Sequence, residues 1–218
     1  MQASVIFRRA IFPVNPEAPA LAVSPSPPSA PAAHALRLPG DLAIWVFILA
    51  ELLVFAVFFA AYSFARAGNV ELFNAAQTTV NRTAGAVNTI FLITASWFVA
   101  RSVDKARHDR IASAVRWLAA GILCGGGFVV VKLIEYAEKI GAGINLSTNT
   151  FYMFYLSLTF FHFMHVILGM VILVAVLLKL RRGGYGSHDC NGFETGAVYW
   201  HMVDLVWIVL FPLVYVMR

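Results

Sequence analysis

Five long apolar runs decide what this chain can fold into. A helix needs about 20 apolar residues to cross a hydrocarbon layer of about 30 Å, and the 218-residue sequence holds five runs of that length. Only 12% of the residues are charged, about half the share of a soluble domain. The runs lack the alternation of barrel strands, and backbone groups in lipid have to bond internally. The sequence therefore predicts an all-α polytopic membrane protein, a bundle of five transmembrane helices.

The chain divides into two parts by composition. Residues 1–38 are rich in Pro and Ala, and they show neither a periodic apolar face nor the apolar core of a secretory signal. We expect them to form a disordered N-terminal arm. The membrane domain is predicted over residues 39–218, with helices at about 41–65, 84–101, 113–138, 151–179 and 196–217.

The net charge of +5 comes from short basic clusters between the apolar runs, which is typical of topology signals. We therefore expect no nucleic-acid partner. Eleven of the sixteen Lys and Arg residues fall on one side of the predicted bundle: Arg8, Arg9, Arg37, Arg101, Lys105, Arg107, Arg110, Arg116, Lys179, Arg181 and Arg182. The positive-inside rule places the N-terminus in the cytoplasm and the C-terminus outside.

Glu51 lies ten residues into the first apolar run, near the expected middle of the membrane. An ionisable side chain at that depth costs a few kcal/mol and is a candidate functional residue. A protonated Glu51 that donates a hydrogen bond is the simplest expectation, because an isolated carboxylate is costly in an apolar medium. Such a residue fits either a structural acid that joins two helices or a proton relay.

Histidines mark the fourth and fifth runs. His162, His165 and Gly169 have i, i+3 and i+7 spacing, which puts two imidazoles and a small residue on one helix face, and His201 and Asp204 are three apart. Two histidines on facing helices could ligate haem iron. The alternative, which we prefer, is an interhelical polar network in which Asp204 and Glu51 bond to the rings. On this interpretation the chain has no cofactor of its own.

The third run carries a charged pair and a glycine face. Lys132, Glu135 and Tyr136 close the run at its outer end, and their spacing predicts an interfacial ion pair beside an aromatic belt. Gly121 and Gly125 form a G-x-x-x-G face, which favours close helix packing over ligand binding.

These residues, taken together, resemble subunit III of haem-copper cytochrome c oxidase. The most specific segment is YWHMVDLVW at residues 199–207, which is similar to the family's YWHFVDxVW. Further similar elements are Glu51 within residues 45–51, Gly85 to Thr89, Glu135-Tyr136, and Phe161-His162 to His165-Val166 with Gly169. The resemblance covers about residues 39–215.

The resemblance implies a subunit without a redox centre that packs against a catalytic subunit containing haem with copper or iron, in the inner membrane of a bacterium. In the oxidases this subunit supports proton uptake and protects the catalytic subunit, and Glu51 matches the family's carbodiimide-reactive carboxyl. Bound phospholipid and contact with membrane lipids are also implied.

Departures from the pattern favour a particular branch. The chain has five predicted helices where the long form has seven, Phe160 and Phe163 stand where glycines are usual, and Lys132 stands where Gln is common. These features resemble the accessory or activation protein found with bacterial nitric oxide reductase, so a role in aerobic respiration and one in denitrification both stay open. A b-type haem protein linked to quinone, and a small proton-coupled transporter, are the competing hypotheses.

Overall fold

The structure is a computed structural model that describes residues 42–186 and 190–217. The predicted N-terminal arm lies outside the described residues. Within these ranges the chain forms six α-helices and a closing π-helical turn: α1 (Leu42–Ala67), α2 (Val70–Gln77), α3 (Arg82–Arg107), α4 (Ile111–Gly141), α5 (Thr150–Arg181), α6 (Asn191–Phe211) and the π-turn (Pro212–Val216).

Five of these elements are long and apolar enough to cross a membrane, namely α1, α3, α4, α5, and α6 together with the π-turn. This confirms the predicted all-α fold with five spans. Several helices run past the apolar segments, as α3 does when it continues from Arg101 to Arg107. Lys and Arg are good helix formers, so an apolar run marks the part of the helix in lipid and not its end.

The short helix α2, which the sequence analysis did not predict, holds the C-terminal turn in place. Gln77 at the end of α2 is fully buried, and its side-chain amide donates to the Val214 carbonyl at 2.9 Å. Arg66 at the end of α1 donates to the Met217 carbonyl at 2.6 Å. Pro212 begins the π-turn and has no N–H to continue the α-helical ladder, so contacts from α1 and α2 stabilise this irregular end.

Helix α6 lies at the centre of the bundle and α1 at its edge. Half of the most apolar window of the last span is buried, compared with 11% for α1. α6 packs against α1, α3 and α5, and both of its tryptophans, Trp200 and Trp207, are fully buried. The residues of α6 therefore reach almost every other helix, whereas α1 leaves most of its surface to lipid or a partner.

Three glycines of the predicted packing set lie where a side chain has little room. A Cβ atom on Gly121 would lie 3.2 Å from Val99 of α3. A Cβ on Gly125 would lie 2.9 Å from the Trp200 ring, and one on Gly169 would lie 3.0 Å from the same ring. Gly125 of α4 and Gly169 of α5 thus flank the buried Trp200 of α6.

We predict that Gly125→Val destabilises the protein by about 1–3 kcal/mol, the usual cost of overpacking a well-packed core. Gly126→Val is a matched control, because a Cβ on Gly126 meets no atom of the structure within 4 Å. Thermal denaturation of both variants in detergent micelles measures the difference. Equal midpoints would show that Trp200 has room to move.

Candidate functional site

Glu51 and His165 join α1 to α5. The Oε2 atom of Glu51 lies 3.1 Å from Nε2 of His165. The two side chains keep 21% and 12% of their surface exposed, so the pair lies at the margin of the bundle and not in its centre. The sequence analysis offered Glu51 as a partner for the membrane histidines but left open which one, and the structure selects His165.

The hydrogen bond of His165 Nδ1 limits how the Glu51–His165 pair can be protonated. Nδ1 lies 2.8 Å from the Phe161 carbonyl, and a carbonyl can only accept, so Nδ1 carries a hydrogen. Nε2 then either accepts from a protonated Glu51 or, in an imidazolium, donates to the carboxylate. The pair therefore shares one proton that can sit on either residue.

His201 and Asp204 lie together on α6, at the surface shared with α3. The Nδ1 atom of His201 is hydrogen-bonded to the Ser96 hydroxyl and lies 3.6 Å from the Asp204 carboxylate. The imidazole is 41% exposed, which leaves one edge of its ring free of the bundle. The sequence analysis expected Asp204 to bond to a histidine ring; the hydrogen bond of His201 goes instead to a serine of α3.

His162 stands apart from this network. Although it is one turn from His165, its ring is fully buried against Phe55, Phe128 and Trp207. Neither ring nitrogen has a hydrogen-bond partner among the described residues. The i, i+3 spacing suggested a shared polar face, but the two imidazoles differ: His165 has aromatic neighbours and polar partners, whereas His162 lies among aromatic rings.

Lys132 and Glu135 form an ion pair inside the bundle. Nζ of Lys132 donates to the Glu135 carboxylate at 2.9 Å, and the two side chains are 0% and 2% exposed. The sequence predicted this pair as interfacial; the structure buries it, because tyrosines from other elements cover it. Tyr155 of α5 and Tyr215 of the π-turn both donate to Glu135, and Lys132 also donates to the Tyr215 hydroxyl at 2.7 Å.

Aromatic rings complete the surroundings of the ammonium group. The rings of Tyr136, Tyr155, Trp207 and Tyr215 have their centres 4.9 to 5.8 Å from Lys132 Nζ. A cation over aromatic faces is stabilised by their quadrupoles. Sequence reasoning missed Tyr155 and Tyr215 because they lie 20 and 80 residues from Glu135, and no local spacing links them to it.

The membrane histidines already have other neighbours. His165 is bonded on both nitrogens, His201 contacts Ser96, and aromatic rings enclose His162. Among the described residues, no three His, Cys, Asp or Glu side chains form a group that could hold a metal ion.

An apolar groove of about 1000 Å³ opens between α1, α4 and α5. Phe58, Tyr136, Leu156 and Phe160 line its length, and the loop at residues 143–147 closes one end with the polar side chains of Asn145 and Ser147. The groove is thus apolar along the helices and polar at the loop.

These helices and their interhelical polar pairs define a multi-pass membrane protein with ionisable groups between its spans. Residues 33–218 match the family model described as "Cytochrome c oxidase subunit III". The chain therefore belongs to the cytochrome c oxidase subunit III family, and through it to the subunits of haem-copper oxidases.

Individual relatives agree with the family. Cytochrome c oxidase subunit 3 of Thermostichus vulcanus is 30% identical over 177 residues, which cover 81% of this chain and 86% of that protein. Quinol oxidase subunit 3 of Bacillus subtilis is 29% identical over 182 residues, with 81% and 86% coverage. Haem-copper oxidase subunit I+III of Aeropyrum pernix is 29% identical over 179 residues, which cover 79% of this chain but 22% of the longer protein.

Proposed function

We propose that this chain is a non-catalytic subunit that packs against the haem-containing catalytic subunit of a haem-copper oxidase or nitric oxide reductase. It supports the proton supply or the stability of that partner, which holds the haem and the copper or iron. The Aeropyrum relative, whose name joins subunits I and III in one protein, supports a direct contact with the catalytic subunit. The membrane is the inner membrane of a bacterium, with the N-terminus in the cytoplasm.

The Glu51–His165 pair carries this proposal. Ionisable residues inside membrane spans are costly, and they mark proton pathways or partner contacts. The pair can hold one transferable proton, and it lies on the side of the bundle where α1 leaves most of its surface uncovered. A partner that covers α1 would therefore meet a protonatable group and not only apolar side chains.

Within this proposal, the departures from the oxidase pattern favour the nitric oxide reductase branch. Phe163, where glycine is usual, packs against the Tyr136 ring. That ring in turn faces the ammonium of Lys132, where Gln is common. Two of the departures, Phe163 and Lys132, thus belong to one structural unit, the buried pair and its aromatic surroundings, whereas Phe160 lines the apolar groove.

The apolar groove supports the proposed binding of phospholipid. Its walls are apolar helices, and one acyl chain or two would fill it with the glycerol end near Asn145 and Ser147. The outer surface of α4 would contact the other membrane lipids.

Purification of the tagged full-length chain from its native membrane in mild detergent tests the proposed function. We predict that the chain brings with it a haem-containing subunit, and that the complex consumes oxygen or nitric oxide. The chain expressed alone should contain no stoichiometric haem. Haem b in the isolated chain would support the electron-transfer alternative, and proton-coupled uptake by vesicles containing only this chain would support a transporter; either result would overturn the proposal.

A further inference from the structure

The proposed function assigns no role to the buried pair of Lys132 and Glu135. A buried ion pair adds little net stability, because the cost of removing both charges from water offsets their attraction, and apolar residues can often replace such a pair without loss. Its place inside a membrane span makes the cost larger. We therefore expect the Lys132–Glu135 pair to have a role besides stability.

A small pocket adjoins Glu135. A small pocket of about 80 Å³ lies between the start of α3 and the end of α4, and Glu135 forms part of its wall. Asn81 and Glu138, both exposed, line the same pocket. The volume is enough for a few water molecules, and the lining includes the polar side chains of Asn81 and Glu138.

The surroundings of the pair distinguish its two members. Four aromatic rings and the Tyr215 hydroxyl face the ammonium of Lys132, so the cation keeps favourable contacts whether or not Glu135 is charged. Glu135 forms part of the pocket wall, and its carboxylate accepts from the Tyr155 and Tyr215 hydroxyls. Glu135 is therefore the group better placed to gain and lose a proton.

We infer that Glu135, with Lys132, Tyr155 and Tyr215, forms a second proton-exchange site that is reached by water through the pocket between α3 and α4. On uptake, hydronium in the pocket transfers its proton to the Glu135 carboxylate, which gives a carboxylic acid and water. On release, water takes that proton back, and Lys132 stays an ammonium ion in both states.

This site is separate from the Glu51–His165 pair. The titratable and charged groups facing it are Tyr136, Glu138 and Lys139 of α4, Tyr155 and His162 of α5, and Tyr215 of the π-turn. His162 lies on the side toward Glu51, and the aromatic rings of Phe55, Phe128 and Trp207 surround it. Exchange at Glu135 is thus expected to be independent of Glu51.

Infrared difference spectroscopy of the full-length chain in lipid nanodiscs tests the inference. We expect a carboxyl C=O band that grows on acidification and shifts in D₂O. The band should persist in Glu51→Gln and disappear in the double variant Lys132→Met/Glu135→Gln, which removes both charges together and keeps an amide for the tyrosines. A band that persists in the double variant, or no carboxyl band in the wild type, would show a fixed ion pair with only a structural role.

The route is tested by filling the pocket. Ala84 lines it, whereas Ala86 is exposed on the outside of α3. Ala84→Leu should slow the D₂O shift of the Glu135 band at least tenfold, and Ala86→Leu should leave it at the wild-type rate. Equal rates for the two variants would overturn the proposed route and with it the inference.

Discussion

Lys132→Met is expected to lower the free energy of unfolding by about 3–5 kcal/mol at a pH where Glu135 is ionised, the cost of leaving a buried charge without its partner. In this variant the Glu135 carboxylate keeps the hydroxyl bonds of Tyr155 and Tyr215 but loses the ammonium at 2.9 Å. Met and Lys have similar side-chain shapes, so the loss of stability reports the missing charge and not a change in packing. Denaturation in mixed micelles gives the free energy.

Two controls separate this effect from a general loss of a lysine. Lys105→Met removes the partner of Asp104 in a partly exposed pair of adjacent residues, and an exposed pair contributes about 0–1 kcal/mol. The double variant Lys132→Met/Glu135→Gln removes both buried charges and should recover most of the stability lost in the single variant. A single variant as stable as Lys105→Met would contradict the burial of this pair.

The transmembrane fold could be predicted from the sequence because hydrophobicity alone determines which segments enter lipid. Each of the five apolar runs is a span in the structure. The helix α2 could not be predicted in this way, because its eight residues are too few to cross a membrane and its role is tertiary. Gln77 is buried, and its side-chain amide donates to the carbonyl of Val214, 137 residues away in the sequence.

The candidate site was predicted only where spacing is local. The Lys132–Glu135 pair follows from i, i+3 spacing, and a bond between Glu51 and some membrane histidine follows from the cost of an unpaired carboxyl. The choice of His165 over His162 depends on how α1 packs on α5, which no residue pattern encodes. For the same reason the sequence did not show that an aromatic cluster from three helices encloses His162.

Glu51→Leu is expected to lower the amount of assembled partner complex several-fold. The change strands Nε2 of His165, which has Glu51 as its partner, and an unsatisfied buried polar group costs about 1–3 kcal/mol. Losses of this size change steady-state abundance several-fold in cells. Quantitative blotting of membranes measures it. Glu71→Gln, which changes an exposed carboxylate on α2, serves as the control and should leave the amount unchanged.

Glu51→Gln separates a structural role of Glu51 from proton transfer. Because His165 Nδ1 is occupied by the Phe161 carbonyl, a Gln side-chain amide can donate to the free lone pair of Nε2 just as a protonated Glu does. We therefore expect normal assembly. If the pair supplies protons, turnover of the partner should fall several-fold at high pH, where protons are scarce, and should approach normal at low pH. A structural role predicts the same pH profile as the wild type. The measurement is oxygen or nitric oxide consumption against pH in membranes; normal assembly together with an unchanged profile in Glu51→Leu would leave Glu51 with neither role.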